Sequence, residues 1–172
     1  DESALEMALK LSDQAKNSGE LMSLTALTID DPGADLFLKH ALAVQYDTAV
    51  RIDPGKGIDL RFNALAISCL ISAYLEKINA CQLVILGSQG SEGDNRQTGF
   101  LVAERLGWPC IRDVIDFGFT PSLDALGVTC REEGAVMVQT IEFPVVLVIG
   151  NAGASPYLRV PTLKQKLNAK EK

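Results

Sequence analysis

"CQLVILGSQGSEGDNRQTGFLVAERLGW", residues 81–108, is the stretch from which the fold can be read. Its first seven residues form a continuous apolar run of strand length, the kind buried on both faces of a parallel sheet. Gly87 closes the run, a polar loop with two more glycines follows, and then a helical pattern from Gln97 onward. In open α/β sheets ligands bind beyond the carboxyl ends of strands. A helix start leaves about four backbone N–H groups unpaired and carries roughly half a positive charge. The two features together predict a phosphate site. Gly87, Gly90 and Gly93 let the main chain approach a ligand, and Asn95, Gln97 and Thr98 can donate or cap. Arg96 adds a cation suited to phosphate oxygens. Ser88, Gln89, Ser91, Glu92 and Asp94 complete the candidate loop. No Gly-Lys-[Ser/Thr] closes it, and it is not Gly-x-Gly-x-x-Gly, so neither familiar nucleotide fingerprint applies. A capped helix behind a plain loop is the alternative.

Outward from this stretch, strand and helix patterns alternate. Residues 1–19 read as a helix with Ala4, Leu5, Ala8 and Leu9 on an apolar stripe and Asp1 as its cap. Residues 21–29 and 48–52 read as strands. Between them "DDPGADLFLKHALAVQ" opens a helix on acids and proline, with Leu36, Leu38, Ala41 and Leu42 on its buried side. A long helix is predicted over 59–79, with Phe62, Leu65, Ala66, Cys69, Leu70 and Ala73 on one broad face. This alternation implies a parallel sheet with helices on both faces. The chain opens on a helix, so a strand is expected ahead of residue 1. After Pro109 the pattern changes. Residues 110–119 are strand-like, 126–143 read as two strands joined at "EEGA", and "PVVLVIG" (144–150) returns to the buried type. The polar, basic tail has little apolar surface with which to pack a core.

The 172 residues suit one domain, and 47% apolar with 22% charged composition fits a globular chain. A net charge of −6 argues against a general nucleic-acid binder. No apolar run approaches the roughly 18 residues of a membrane helix, so membrane insertion is not expected. Cys69, Cys81, Cys110 and Cys130 form no Cys-x-x-Cys pair and read as small hydrophobes in a reducing compartment. The single histidine, His40, has no second ligand beside it. Asp113, Asp116, Asp124, Glu132 and Glu133 are scattered and read as solvated acids, and Trp108 as a core plug. No catalytic or metal-ligating set emerges.

Four segments carry a family resemblance. "GSQGSEGDNRQTGFLVAERLGWP" resembles the adenine-nucleotide loop and helix of electron transfer flavoprotein β-subunits, with Gln97, Thr98, Gly99, Trp108 and Pro109 in matching order and spacing. "REEGAVMVQTIEFPVVLVIG" is similar to that family's hairpin and Pro-Val-Val strand. "YLRVPTLKQKLNAKEK" resembles its Arg-Tyr-Pro-Thr-Leu signature and basic helix, and "DESALEMALKL" resembles its opening helix. The resemblance spans essentially the whole chain. It implies a three-layer, Rossmann-like parallel sheet of the adenine nucleotide alpha hydrolase-like kind, with an added antiparallel hairpin. It implies a nucleotide-binding domain over 1–150 and a recognition loop and helix over 151–172.

Functionally, the resemblance implies an electron-carrier subunit with no catalytic residues of its own. It would hold AMP or a second FAD and pair with an α-subunit that carries the redox FAD. Electrons would come from an acyl-CoA-type dehydrogenase. The implied nucleotide contacts fall on Gly87 to Thr98 and on Ile29, and the implied dehydrogenase anchor on Leu163, framed by Thr162. The implied location is the cytoplasm, or the mitochondrial matrix in a eukaryote. Arg96 stands where the family usually has Asn, and a further cation suits a ligand with more phosphate charge. "GASPYLRV" replaces the usual Asn-Glu-Pro-Arg-Tyr, which points toward a FixA-like branch. The rival is an ATP- or AMP-binding enzyme, or a stress-type sensor, on the same architecture.

Overall fold

The computed structural model describes residues 1–89, 96–150 and 157–169. These residues form two compact units. One contains Asp1, Ser3 and the described residues from 59 to 150; the other contains Glu2, residues 4–58 and residues 157–169.

The larger unit is built on a five-stranded mixed sheet. Its helices are α3 (Ala64–Ile78) and α4 (Thr98–Leu106). Its strands are β3 (Leu83–Gly87), β4 (Cys110–Phe119), β5 (Ala125–Glu132), β6 (Ala135–Glu142) and β7 (Val145–Ile149), in the spatial order β3-β7-β4-β5-β6. β7 is parallel to both β3 and β4, whereas β5 is antiparallel to both β4 and β6. All five residues of β7 are buried, as the run "VVLVI" predicts for a strand covered on both faces. The hairpin expected at "EEGA" is present. Its turn is Glu133-Gly134 with φ of 48° and 85°, the two left-handed residues of a type I′ loop.

The smaller unit contains a two-stranded parallel sheet, β1 (Thr25–Ile29) with β2 (Thr48–Ile52), joined through α2 (Asp35–Ala43). It also holds α1 (Glu2–Asn17) and the short α5 (Leu163–Asn168). α1 buries Ala4, Met7, Ala8, Leu9, Leu11 and Ala15, close to the predicted stripe. The Tyr46 hydroxyl donates to the Leu5 carbonyl at 3.1 Å. Burial first, and the charge of Glu6 second, push this phenol well above its ordinary range.

The chain is thus α/β with parallel and antiparallel pairing. The parallel strands are divided between two sheets, because among the described residues β1 pairs with β2 and β3 pairs with β7. Two helix faces differ from the sequence reading. In α2, Leu36 is exposed while Ala41 and Ala43 are buried. A helix turns 100° per residue, so position 36 cannot share a face with 38, 41 and 42. α3 starts only at Ala64, capped by the Asn63 side chain, which accepts from the Ala66 amide at 3.0 Å. Phe62 precedes the helix and is exposed, as are Leu65 and Ala73. The buried face is instead Ala64, Ser68, Ile71 and Ser72. Small residues there let α3 and α4 approach closely, and Arg105 Nε reaches Ser68 Oγ at 3.3 Å. The four cysteines are free, but only Cys130 is fully buried; Trp108 is half-buried.

Candidate functional site

The candidate site lies at the carboxyl ends of β3 and β7. These strands run parallel in register from Leu83 opposite Val145 to Gly87 opposite Ile149, so they end at the same level. Two connections leave from that edge. The Ser88 amide still donates to the Ile149 carbonyl at 2.9 Å, and the Gly150 amide donates to the Val114 carbonyl at 2.9 Å.

Gly99 sets where α4 sits. A Cβ placed on it would collide with Val148 Cγ2 and come within 3.7 Å of Leu86 Cδ1. Its bare Cα therefore lets the first turn of α4 lie directly on the ends of β7 and β3. Gln97 is the N-cap, and its side chain makes no capping bond to the helix. Arg96, exposed and immediately before it, has a φ of +52°. A left-handed residue here turns the chain sharply into the helix.

Gly150 marks a second close approach. A Cβ there would lie 2.8 Å from the Cα of Asp113. Asp113 has a φ of +47° and occupies the irregularity where the β4–β7 register shifts between Ile111 and Val114. The bulge brings an acid to the level at which β7 ends. Sequence reading treated Asp113 as a solvated acid; only the register shift shows its place. The N-terminal residue adds a further acid, for the Asp1 side chain lies against Gly87, its Cγ 2.7 Å from where a Cβ would be.

Of the predicted nucleotide residues, Gly87, Ser88, Gln89, Arg96, Gln97 and Thr98 flank this edge, through the end of β3 or the start of α4. Gly90, Ser91, Glu92, Gly93, Asp94 and Asn95 lie outside the described residues. Ile29 ends β1 in the other unit.

Thr162 and Leu163, the predicted anchor, belong to the smaller unit. Thr162 caps α5 with a complete capping box: its hydroxyl oxygen accepts from the Gln165 amide, and Gln165 Oε1 accepts from the Thr162 amide at 2.7 Å. That reciprocal pair explains how a six-residue helix forms at all. Leu163 follows the cap and is 74% exposed.

The tail is tied to α1 by a cluster the sequence reading missed. Glu6, buried on α1, accepts from the Arg159 amide at 3.0 Å and from its guanidinium at 2.8 Å, while Asp13 accepts from the same guanidinium at 3.0 Å. Burial pushes the Glu6 carboxyl up. The Arg159 side-chain and backbone hydrogen bonds outweigh it and hold the group below its ordinary 4.5. The available signal was an acid at position 6, among the buried residues of α1.

Cys81 and Cys110 are held as thiols because burial raises both. Among the described residues no group of His, Cys, Asp and Glu could hold a metal ion, and no helix is long and apolar enough to cross a membrane.

The pattern of the family described as "Electron transfer flavoprotein domain" matches residues 1–172. The chain is 37% identical over 158 residues to the "Putative electron transfer flavoprotein subunit YgcR" of Escherichia coli, covering 91% of this chain and 58% of that protein. It is 30% identical over 151 residues to the "Acryloyl-CoA reductase electron transfer subunit gamma" of Anaerotignum propionicum, covering 86% and 52%. It is 31% identical over 152 residues to "Protein FixA" of Azorhizobium caulinodans, covering 85% and 51%. The chain thus spans between half and three-fifths of the length of these relatives.

Proposed function

The chain belongs to the electron transfer flavoprotein domain family, and from that premise we propose that it works as a β-type, FixA-like subunit of an electron transfer flavoprotein. In this reading residues 1–150 hold an adenine nucleotide, either AMP or a second FAD, on a three-layer nucleotide-binding architecture. Residues 151–172 serve as a recognition loop and helix.

One observation carries the nucleotide assignment. The side-chain Cβ that Gly99 lacks would strike Val148, so the first turn of α4 rests on the strand ends where a phosphate would sit. The donor set fits an anion: main-chain amides at the helix start, with Arg96 and the Thr98 hydroxyl beside them. A bound flavin supplies the redox chemistry. The chain's own residues fix its position and hold the tail in place. The partners proposed are an α-type subunit carrying the redox FAD and a dehydrogenase acting on acyl-CoA-type substrates. Leu163, exposed on a helix that Thr162 caps, is proposed to meet that dehydrogenase as a small apolar anchor. The proposed location is the cytoplasm, or the mitochondrial matrix in a eukaryote.

The test is the purified complex of this chain with its partner subunit. A flavin absorbance spectrum is expected, with AMP or FAD recovered by mass spectrometry in addition to the partner's flavin. Arg96→Ala is expected to lower nucleotide retention by about tenfold or more, since a charge-assisted hydrogen bond contributes about 1.5–3 kcal/mol. A colourless complex without nucleotide overturns the reading.

A further inference from the structure

Leu163 is carried, largely exposed, at the start of a six-residue helix in the smaller unit. Such a leucine can meet a partner at the end of a loose arm or of a stiff one. The residues that lead to it are restrained one after another.

Arg159 is the first of them. Its main-chain amide donates to Glu6 Oε2 at 3.0 Å. Its Nε donates to the same oxygen at 3.1 Å, and its Nη2 donates to Glu6 Oε1 at 2.8 Å. Its Nη1 donates to Asp13 Oδ2 at 3.0 Å. Backbone and side chain are therefore both tied to α1. Glu6 and Asp13 are seven residues apart, about two helical turns, and lie on one face of α1. A guanidinium bridging the two is fixed in position and in direction along the helix, which a single contact would not do. The planar fork of arginine suits this task, whereas a lysine ammonium is a single point.

The restraints continue past the clamp. Val160 precedes a proline and is kept out of the helical region, and Pro161 has its own φ locked at about −65°. Pro161 is also buried. Thr162 is extended, with ψ of 162°, and is closed into its capping box with Gln165. At the far end of α5, Ala169 is buried again. Leu163 and Leu167 stand exposed between these fixed points.

Stability alone is a poor reason for the clamp. Glu6 is 6% exposed, and a buried ion pair gains little over apolar packing. α1 already buries Ala4, Met7, Ala8, Leu9 and Leu11. What the clamp adds is geometry, and ordering an arm before association removes part of the cost of ordering it at the moment of binding.

We propose that Arg159 is the positioning residue of the recognition segment: its two-point clamp on Glu6 and Asp13 holds the arm 159–162 in docking geometry, so that Leu163 meets the dehydrogenase already ordered. This rests on the subunit reading above.

The experiment uses the complex of the full chain with its flavin-bearing partner subunit, and a purified acyl-CoA dehydrogenase as electron donor. Flavin reduction is followed as the concentration of the complex is varied. Arg159→Ala is expected to raise the KM for the complex by about tenfold or more, with kcat and the flavin spectrum unchanged. The double variant Glu6→Gln with Arg159→Ala strands no carboxylate, so it melts closer to wild type, yet its KM is expected to stay raised. In the complex without donor, amide exchange over residues 162–168 is expected to quicken by about tenfold or more in both variants. A KM unchanged in Arg159→Ala, while Leu163→Ala raises it, overturns the clamp and leaves the subunit reading intact. So does a KM that returns to the wild-type value with stability in the double variant. A fall in kcat or a loss of flavin in Arg159→Ala marks a general structural role and overturns the clamp as well. A wild-type complex that takes no electrons from the donor removes the dehydrogenase reading and the clamp together.

Discussion

β7 and β6 are written in nearly the same alphabet. One is "VVLVI", the other "AVMVQTIE", and both are strands of one sheet. Yet β7 is buried from end to end, and β6 is exposed at every residue but Ile141. The difference comes from position. β7 has a parallel neighbour on each side, so its backbone is fully engaged and both its faces are covered. β6 has a neighbour on one side only. Valine in the first place contributes to the core. In the second it stands exposed.

The contrast is open to direct attack. Leu147→Ala, at a site with no solvent exposure, should cost about 3 kcal/mol through lost burial and the cavity left behind. Chemical denaturation of the isolated chain measures it; a loss below about 1 kcal/mol would mean the β7 core is loosely packed. Arg159→Ala probes the other unit. It strands the buried Glu6 carboxylate, and a loss of about 2 kcal/mol is expected, discounted because the guanidinium is one-third exposed. Hydrogen exchange at residues 157–169 reads the release of the tail.

The same pair predicts a pH dependence. Glu6 is held below its ordinary 4.5 in the folded state, so its contribution is full above that value. It is lost as pH falls below 4.5 through the folded value. Protection of the tail should fade over that acid range in wild type and be flat in Glu6→Gln; parallel pH profiles would remove Glu6 as the cause.

Gly99→Ala should cost about 1–2 kcal/mol. Overlap with Val148 exceeds the helix propensity gained, and nucleotide retention should fall with it. A stabilised variant with normal retention would detach α4 from the proposed phosphate site. The smallest effect belongs to the edge. Val138→Lys in the isolated chain should change stability by no more than about 0.5 kcal/mol. A larger loss would show that β6 already contributes to the core.

Much of this was legible in advance. The valine strand at 145–149 and the hairpin at "EEGA" each carry a local signal: continuous apolar residues for a covered strand, and a Gly-containing turn between β-formers. The run at 81–87 does form a strand, but β3 is at an end of its sheet and buries only Val84, so it is not the covered strand its apolar run suggests. The loop-to-helix step at Gln97 was equally plain. Helix faces were read less well. Phe62 and Leu65 were expected inside and lie in water, whereas Ser68 and Ser72 are buried. Hydrophobicity ranks residues, but close packing of two helices selects small ones. Glu6 with Arg159 was missed because its partners are 153 residues apart in the chain.

The sequence by itself determined the element types and the family, because period, turn chemistry and motif spacing are local properties. Only the tertiary structure decided which valine strand is core and which is edge, and where α4 rests on the sheet. It alone placed Asp113 beside Gly150 and Arg159 on Glu6. Those outcomes depend on strand order and on contacts between distant residues, and no local pattern encodes which neighbour a strand or a charge will find.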